Sequence, residues 1–132
     1  MGAWGYGPFE NDAALDWLGE LLAAKGWPPV ASALVAVAGA DALGADACSR
    51  ALAACEMVAA KVGRPLPGLP VEVNAWLAAV APPDPALAGA AREAIAAIRR
   101  ESELRDLWEE ETEHFASWCE SLEDLKIRLG AK

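Results

Sequence analysis

Apolar side chains recur at three- and four-residue steps along most of the chain, and no stretch alternates with the two-residue period of a half-buried strand. Ala14, Trp17, Leu18, Leu21 and Leu22 form one face of a first helix, with Asp12, Asp16 and Glu20 opposite. Asn11 or Asp12 supplies its N-cap, and both aspartates lie near the positive end of the helix dipole. Gly26 ends this helix and Pro28-Pro29 restarts the chain. A second helix, Val30 to Ala38, is apolar nearly all round, which predicts a central position. Asp46 is a candidate cap for a third helix running to Val62. Gly63-Arg-Pro-Leu-Pro-Gly-Leu-Pro70 is a helix stop followed by a rigid linker. A fourth helix spans Val71 to Val80 around Trp76, and Ala81-Pro-Pro-Asp-Pro85 breaks it. Asp84 then caps the next helix, with Pro85 as its first residue.

From Pro85 to Leu129 only Gly89 interrupts helix-forming sequence. An unbroken helix of this length would measure about 68 Å at 1.5 Å per residue. A compact domain of this size has a radius of gyration of roughly 14 Å, so the segment must fold back. The stripe Leu87, Ala91, Ile95, Ile98 loses phase at Glu101-Ser102. It resumes as Leu104, Leu107, Trp108 and again as Phe115, Trp118, Leu122, Leu125, Leu129. Breaks are therefore expected near 100–103 and 110–113, with Ser102 and Thr112 as caps. The pattern predicts an all-α fold, a compact bundle of five to seven short helices. It divides as one domain, residues 1–132, with an irregular aromatic arm over 1–11 packed on a bundle over 12–132.

Composition changes how that bundle must be filled. Alanine accounts for 31 of 132 residues, which favours helix and buries little area per residue. Six tryptophans offset this, since each can bury roughly 150–250 Å². The longest apolar run, Pro29 to Ala40, falls short of the roughly 20 residues a membrane span needs. The opening residues show no secretory pattern, and the expected setting is the cytoplasm. Cys48 and Cys55 would lie about 10 Å apart along one helix, beyond disulfide reach. Cys119 leaves an odd count, so reduced thiols are expected.

The net charge is −9, and its placement is uneven. Residues 101–124 carry ten acids and only Arg105, whereas the last eight residues carry three bases and no acid. No basic stripe exists to displace counterions from phosphates, which argues against nucleic acid as a partner. Glu109, Glu110, Glu111 and Glu113 instead form a candidate surface for a basic protein. Oligomeric state is not legible.

The individuality of the chain is concentrated in its first seventeen residues. Trp4, Tyr6 and Phe9 are separated by Gly5, Gly7 and Pro8, and Glu10-Asn11-Asp12 follows directly. Two roles fit. The rings can latch the arm into gaps left by alanines, or the arm can present Glu10, Asn11, Asp12 and Asp16 to a ligand. Gly5-x-Gly7 lacks both the preceding strand and the third glycine of a dinucleotide site. Glu56 has Leu52, Ala53, Ala59 and Ala60 as its helical neighbours. If that face is inward, it needs a donor such as an arginine, an indole N–H or a free backbone N–H. His114 is the single histidine, and one Glu111-x-x-His114 pair falls short of a carboxylate-bridged di-metal set. No metal, cofactor or catalytic residue is assigned.

The run GAWGYGPFENDAALDW, with Ser102-Glu-Leu-Arg-Asp-Leu-Trp108, resembles the bacterial DUF4259 family, a domain of unknown function. The resemblance is marked at residues 2–17 and 102–108 and looser around Ala53–Pro65. It implies a small helical domain and supplies no activity. Two functions remain in view. One is a non-catalytic acidic interaction domain, immunity- or inhibitor-like. The other is a small enzyme or ligand-binding domain whose site gathers Trp4, Tyr6, Glu10, Asn11, Asp12, Asp16 and Glu56.

Overall fold

A computed structural model describes residues 7–38, 43–62 and 64–130. Seven helices follow one another with no strand among the described residues. They are α1 (Asp12–Ala23), α2 (Pro28–Val37), α3 (Ala45–Lys61), α4 (Val71–Ala79), α5 (Ala86–Arg100), α6 (Glu103–Glu110) and α7 (Thr112–Arg128). The all-α bundle expected from the periodicity is what forms.

The centre belongs to α3, which packs against each of the other six helices. From Cys48 to Ala59 every residue but Arg50 is buried. Small side chains make this possible, because alanines and cysteines let neighbouring helices approach closely from several sides. The expectation that α2 is central is corrected here. Val30, Ala33, Leu34 and Val37 face the core, but Val35 is 70% exposed and Ala36 is also exposed. Alanine and proline give α2 an apolar sequence with little area to bury on its outer face. Leu22, expected in the α1 stripe, is likewise exposed, whereas Ala14, Trp17, Leu18 and Leu21 are buried.

Indoles fill what the alanines leave. Trp17, Trp76, Trp108 and Trp118 are buried, and Trp27 is half-buried. Several use the ring N–H to fasten chain ends. Trp17 donates to the Pro29 carbonyl (3.3 Å), Trp76 to Ala24 (3.1 Å) and Trp27 to Ala81 (2.7 Å). The Trp27 and Trp76 rings meet edge to face with centroids 5.0 Å apart. The end of α1 and the end of α4 are thus tied to one another, and the Lys61 ammonium adds a bond to the Leu77 carbonyl (2.7 Å).

Helix ends follow local chemistry, with three corrections; the first is that Pro85, expected as the opening residue of α5, is its N-cap, and the helix begins at Ala86. Asn11 is the cap of α1, its side-chain oxygen accepting from the Ala14 N–H at 2.8 Å. Asp84 accepts from the Ala86 N–H at 2.8 Å ahead of α5. Ser102 separates α5 from α6 with both halves of its hydroxyl, donating to the Ile98 carbonyl (2.8 Å) and accepting from the Arg105 N–H (3.0 Å). Asp46, however, lies inside the first turn of α3, behind Gly44 as N-cap. The free N–H of Ala45 donates to Glu103 of α6 at 2.9 Å, so a distant carboxylate does the work expected of Asp46. Thr112 is the first residue of α7 and makes no capping bond; the chain turns at Glu111.

Candidate functional site

The arm's polar triplet separates into three fates. Glu10 is exposed and folds back on its own turn, accepting from the Gly7 N–H at 3.2 Å. Asn11 is committed to the α1 cap. Asp12 points from the first turn of α1, and Asp16 lies one turn further along the same face; both are exposed. Of the arm's rings, Phe9 is buried at 8% exposure. Trp4 and Tyr6 lie outside the described residues.

Asp12 and Asp16 border an open groove of about 890 Å³ between α1, α2 and the start of α3. Glu20 and Asp46 add two more carboxylates to its lining, and Arg50 is the one cation among the described lining residues. Trp17 and Pro29 form apolar wall, and Ser49 lies deep on the α3 side. A second, smaller cavity of about 150 Å³, here called the inner cavity for its apolar lining, adjoins it among Leu52, Trp108, Trp118, Leu122 and Leu125, with Asp124 and Arg128 at its rim. Asn11, Ser49 and Leu104 line both spaces and mark where they meet.

Glu56 borders the inner cavity rather than the groove. It is 1% exposed and is met by Arg128 from the last turn of α7. One guanidinium nitrogen bonds each carboxylate oxygen: Nη1 to Oε1, and Nη2 to Oε2 at 3.0 Å. Arg128 also donates to Asp124 (2.7 Å) and to the Arg64 carbonyl (3.1 Å). Burial alone would lower the arginine's pKa. Hydrogen bonds to Glu56 and Asp124 outweigh it, so the guanidinium is held above its ordinary value. The donor required by an inward-facing Glu56 is therefore an arginine seventy-two residues away. This bidentate pair is a structural clasp between α3 and α7.

The candidate site residues are thus not gathered at one point. Asp12 and Asp16 share the groove, Glu56 belongs to the inner cavity, and Asn11 touches both; Glu10 lines neither. Ser49 and Arg128 were not singled out by sequence. A signal for Ser49 existed, since positions 49, 52 and 56 fall on one helical face and two of them are polar in an otherwise apolar stripe. Nothing local distinguishes Arg128 from the other bases near the chain's end.

A separate acidic surface forms where α6 turns into α7. Glu109, Glu110, Glu111 and Glu113 are all exposed. Glu109 pairs with Arg105 at 3.2 Å, and the Arg105 guanidinium stacks over Phe115 at 5.4 Å. Glu110, Glu111 and Glu113 have no cation partner among the described residues.

The thiols are quiet. All three cysteines are free. Burial pushes the Cys48 thiol up to about 11 and Cys55 higher still, against hydrogen bonds that favour the thiolate. No helix among the described residues is long and apolar enough to cross a membrane.

A family model described as Domain of unknown function (DUF4259) matches residues 2–121. No curated protein and no solved structure matches the chain. The chain belongs to the DUF4259 family.

Proposed function

We propose that this DUF4259 domain is a non-catalytic acidic binding module that engages a basic protein, in the manner of an immunity protein or inhibitor. The supporting observation is the exposed carboxylate corner at Glu109, Glu110, Glu111 and Glu113. Glu109 and Glu110 close α6 at the end where the helix dipole disfavours negative charge, by roughly 0.3–1 kcal/mol per group. Glu109 is offset by Arg105, whereas Glu110 stands at that end with no cation partner among the described residues. A concentrated negative field on a fixed corner accelerates and orients encounter with a positive surface. Free thiols suit a reducing compartment, which supports a cytoplasmic setting.

The test is capture of a partner on the immobilised domain at low ionic strength, followed by elution with salt. Binding that weakens steeply with salt and is lost on changing Glu109, Glu110, Glu111 and Glu113 to Gln supports the reading. Capture that is indifferent to those four changes overturns it.

A further inference from the structure

Three polar side chains are buried among the described residues: Ser49, Glu56 and Ser102. Glu56 has Arg128, and Ser102 uses its hydroxyl twice. Ser49 is nine-tenths buried, and its hydroxyl makes no hydrogen bond. A helical serine ordinarily returns its hydroxyl to a carbonyl one turn back, and burying one without a partner is unfavourable. No described side-chain oxygen or nitrogen that is fully sealed lacks a partner, so the Ser49 hydroxyl opens onto the space it lines. That space is the junction of groove and inner cavity. An accepting oxygen is therefore held in place, in a groove that two exposed carboxylates also line, with nothing among the described residues to satisfy it.

We propose that the groove between α1 and α3 receives a lysine or arginine side chain from an extended basic segment of the partner protein. This rests on the reading of the domain as a module for a basic protein. The ligand's N–H donates to the Ser49 hydroxyl, while Asp12 and Asp16 balance its charge from the facing helix. Glu20 and Asp46 extend the negative wall, and Arg50 is the repulsive charge that the segment must avoid. The geometry also connects groove and corner. Leu104 lines the groove at the start of α6, and Glu109 and Glu110 end the same helix. Eight helical residues measure about 12 Å, which roughly four residues of extended chain cover at about 3.3 Å each. A basic segment that left the groove at Leu104 and followed α6 would meet the glutamates at its far end, and would gain from both where a lone small cation would gain from one.

The probe is a fluorescently labelled hexa-arginine peptide, with a hexa-glutamine peptide as control, read by anisotropy on the intact domain. Ser49→Ala leaves the melting temperature unchanged or raised, because it deletes an unsatisfied hydroxyl, and weakens peptide binding about tenfold. Asp12→Asn with Asp16→Asn, both on the exposed face, weakens binding by a similar factor, with only a small fall in melting temperature from the lost helix-dipole interaction of Asp12. Wild-type affinity in both variants overturns the groove. If the groove variants lose binding and the four-glutamate variant does not, the groove stands and the acidic corner falls as the docking surface. The converse result retains the corner and rejects the groove. Spermidine that displaces the peptide from the groove at equal affinity assigns the site to a small polyamine and rejects a protein segment as its occupant.

Discussion

Arg128→Ala should be the most damaging single change available near the end of the chain. The side chains of Glu56 and Arg128 are 2% and 14% exposed, so each neutralises the other largely out of water. At an effective dielectric of about 20, two charges about 4 Å apart attract by roughly 4 kcal/mol. Removing the arginine leaves a carboxylate sealed inside without its donors, which costs about 3–5 kcal/mol. The lost contact with Asp124 contributes little, because that carboxylate is 57% exposed and returns to water. The expected loss is therefore about 4 kcal/mol, a large share of the roughly 5–15 kcal/mol that holds a domain of this kind together. Followed by tryptophan fluorescence in urea, with a slope of about 2 kcal/mol per molar, the midpoint should fall by about 2 M. Glu56→Leu should cost less, since the arginine it strands sits nearer the surface. Combining Glu56→Leu with Arg128→Met should recover much of the loss, because an apolar pair of similar volume needs no mutual neutralisation. A loss under about 1 kcal/mol for Arg128→Ala, or strictly additive single changes, would refute the account of the pair as a buried clasp.

Other expectations are simpler to check. Ser102→Ala should lower stability by about 1–2 kcal/mol in the same urea assay, since it removes both the α6 cap and a bond to the Ile98 carbonyl. Trp76→Ala should cost about 3–5 kcal/mol and release the edge-to-face pair with Trp27, visible as changed near-ultraviolet dichroism. Native-state thiol labelling should modify Cys119 before Cys48 and Cys55, whose burial is complete; equal rates would contradict the packing of α3. The raised Cys48 pKa also fixes a pH dependence. Below the ordinary value of 9.0 both folded and unfolded thiols keep their protons. Between 9 and about 11 the unfolded chain loses a proton that the folded chain retains, so stability falls as pH rises through that window. Cys48→Ala should reduce that slope in melting temperatures measured across it, and the part that remains should come from Cys55, which burial raises further.

How much of this was legible in the sequence varied with the range of the interaction. Periodicity located the helices and both late breaks, and Ser102 and Asn11 capped where their residue types suggested. These features depend on neighbours within a turn. Asp46 and Thr112 failed as caps because the competing partners, Glu103 for α3 and the turn at Glu111 for α7, are set by tertiary placement. The central role went to α3 rather than α2, since mean apolarity does not report which helix is enclosed on all sides. Glu56 was recognised as needing a donor, but its choice of Arg128 depended on where α7 ends. Likewise Asp12 and Asp16 read as a ligand platform in sequence, and only the packing of α3 against α1 supplied the buried hydroxyl opposite them.

The placement of α3 also bears on how the chain folds. A helix that touches all six others leaves no pair or trio of helices with a finished core of its own. Fragments that end before α5 would leave α3 with an open flank, and fragments that begin after it would lack the surface on which α5, α6 and α7 assemble. Native packing therefore has to appear in one cooperative step, with unfolding seen simultaneously by every probe. The clasp between α3 and α7 cannot close until α7 has been made, because Arg128 lies seventy-two residues after the Glu56 that it binds.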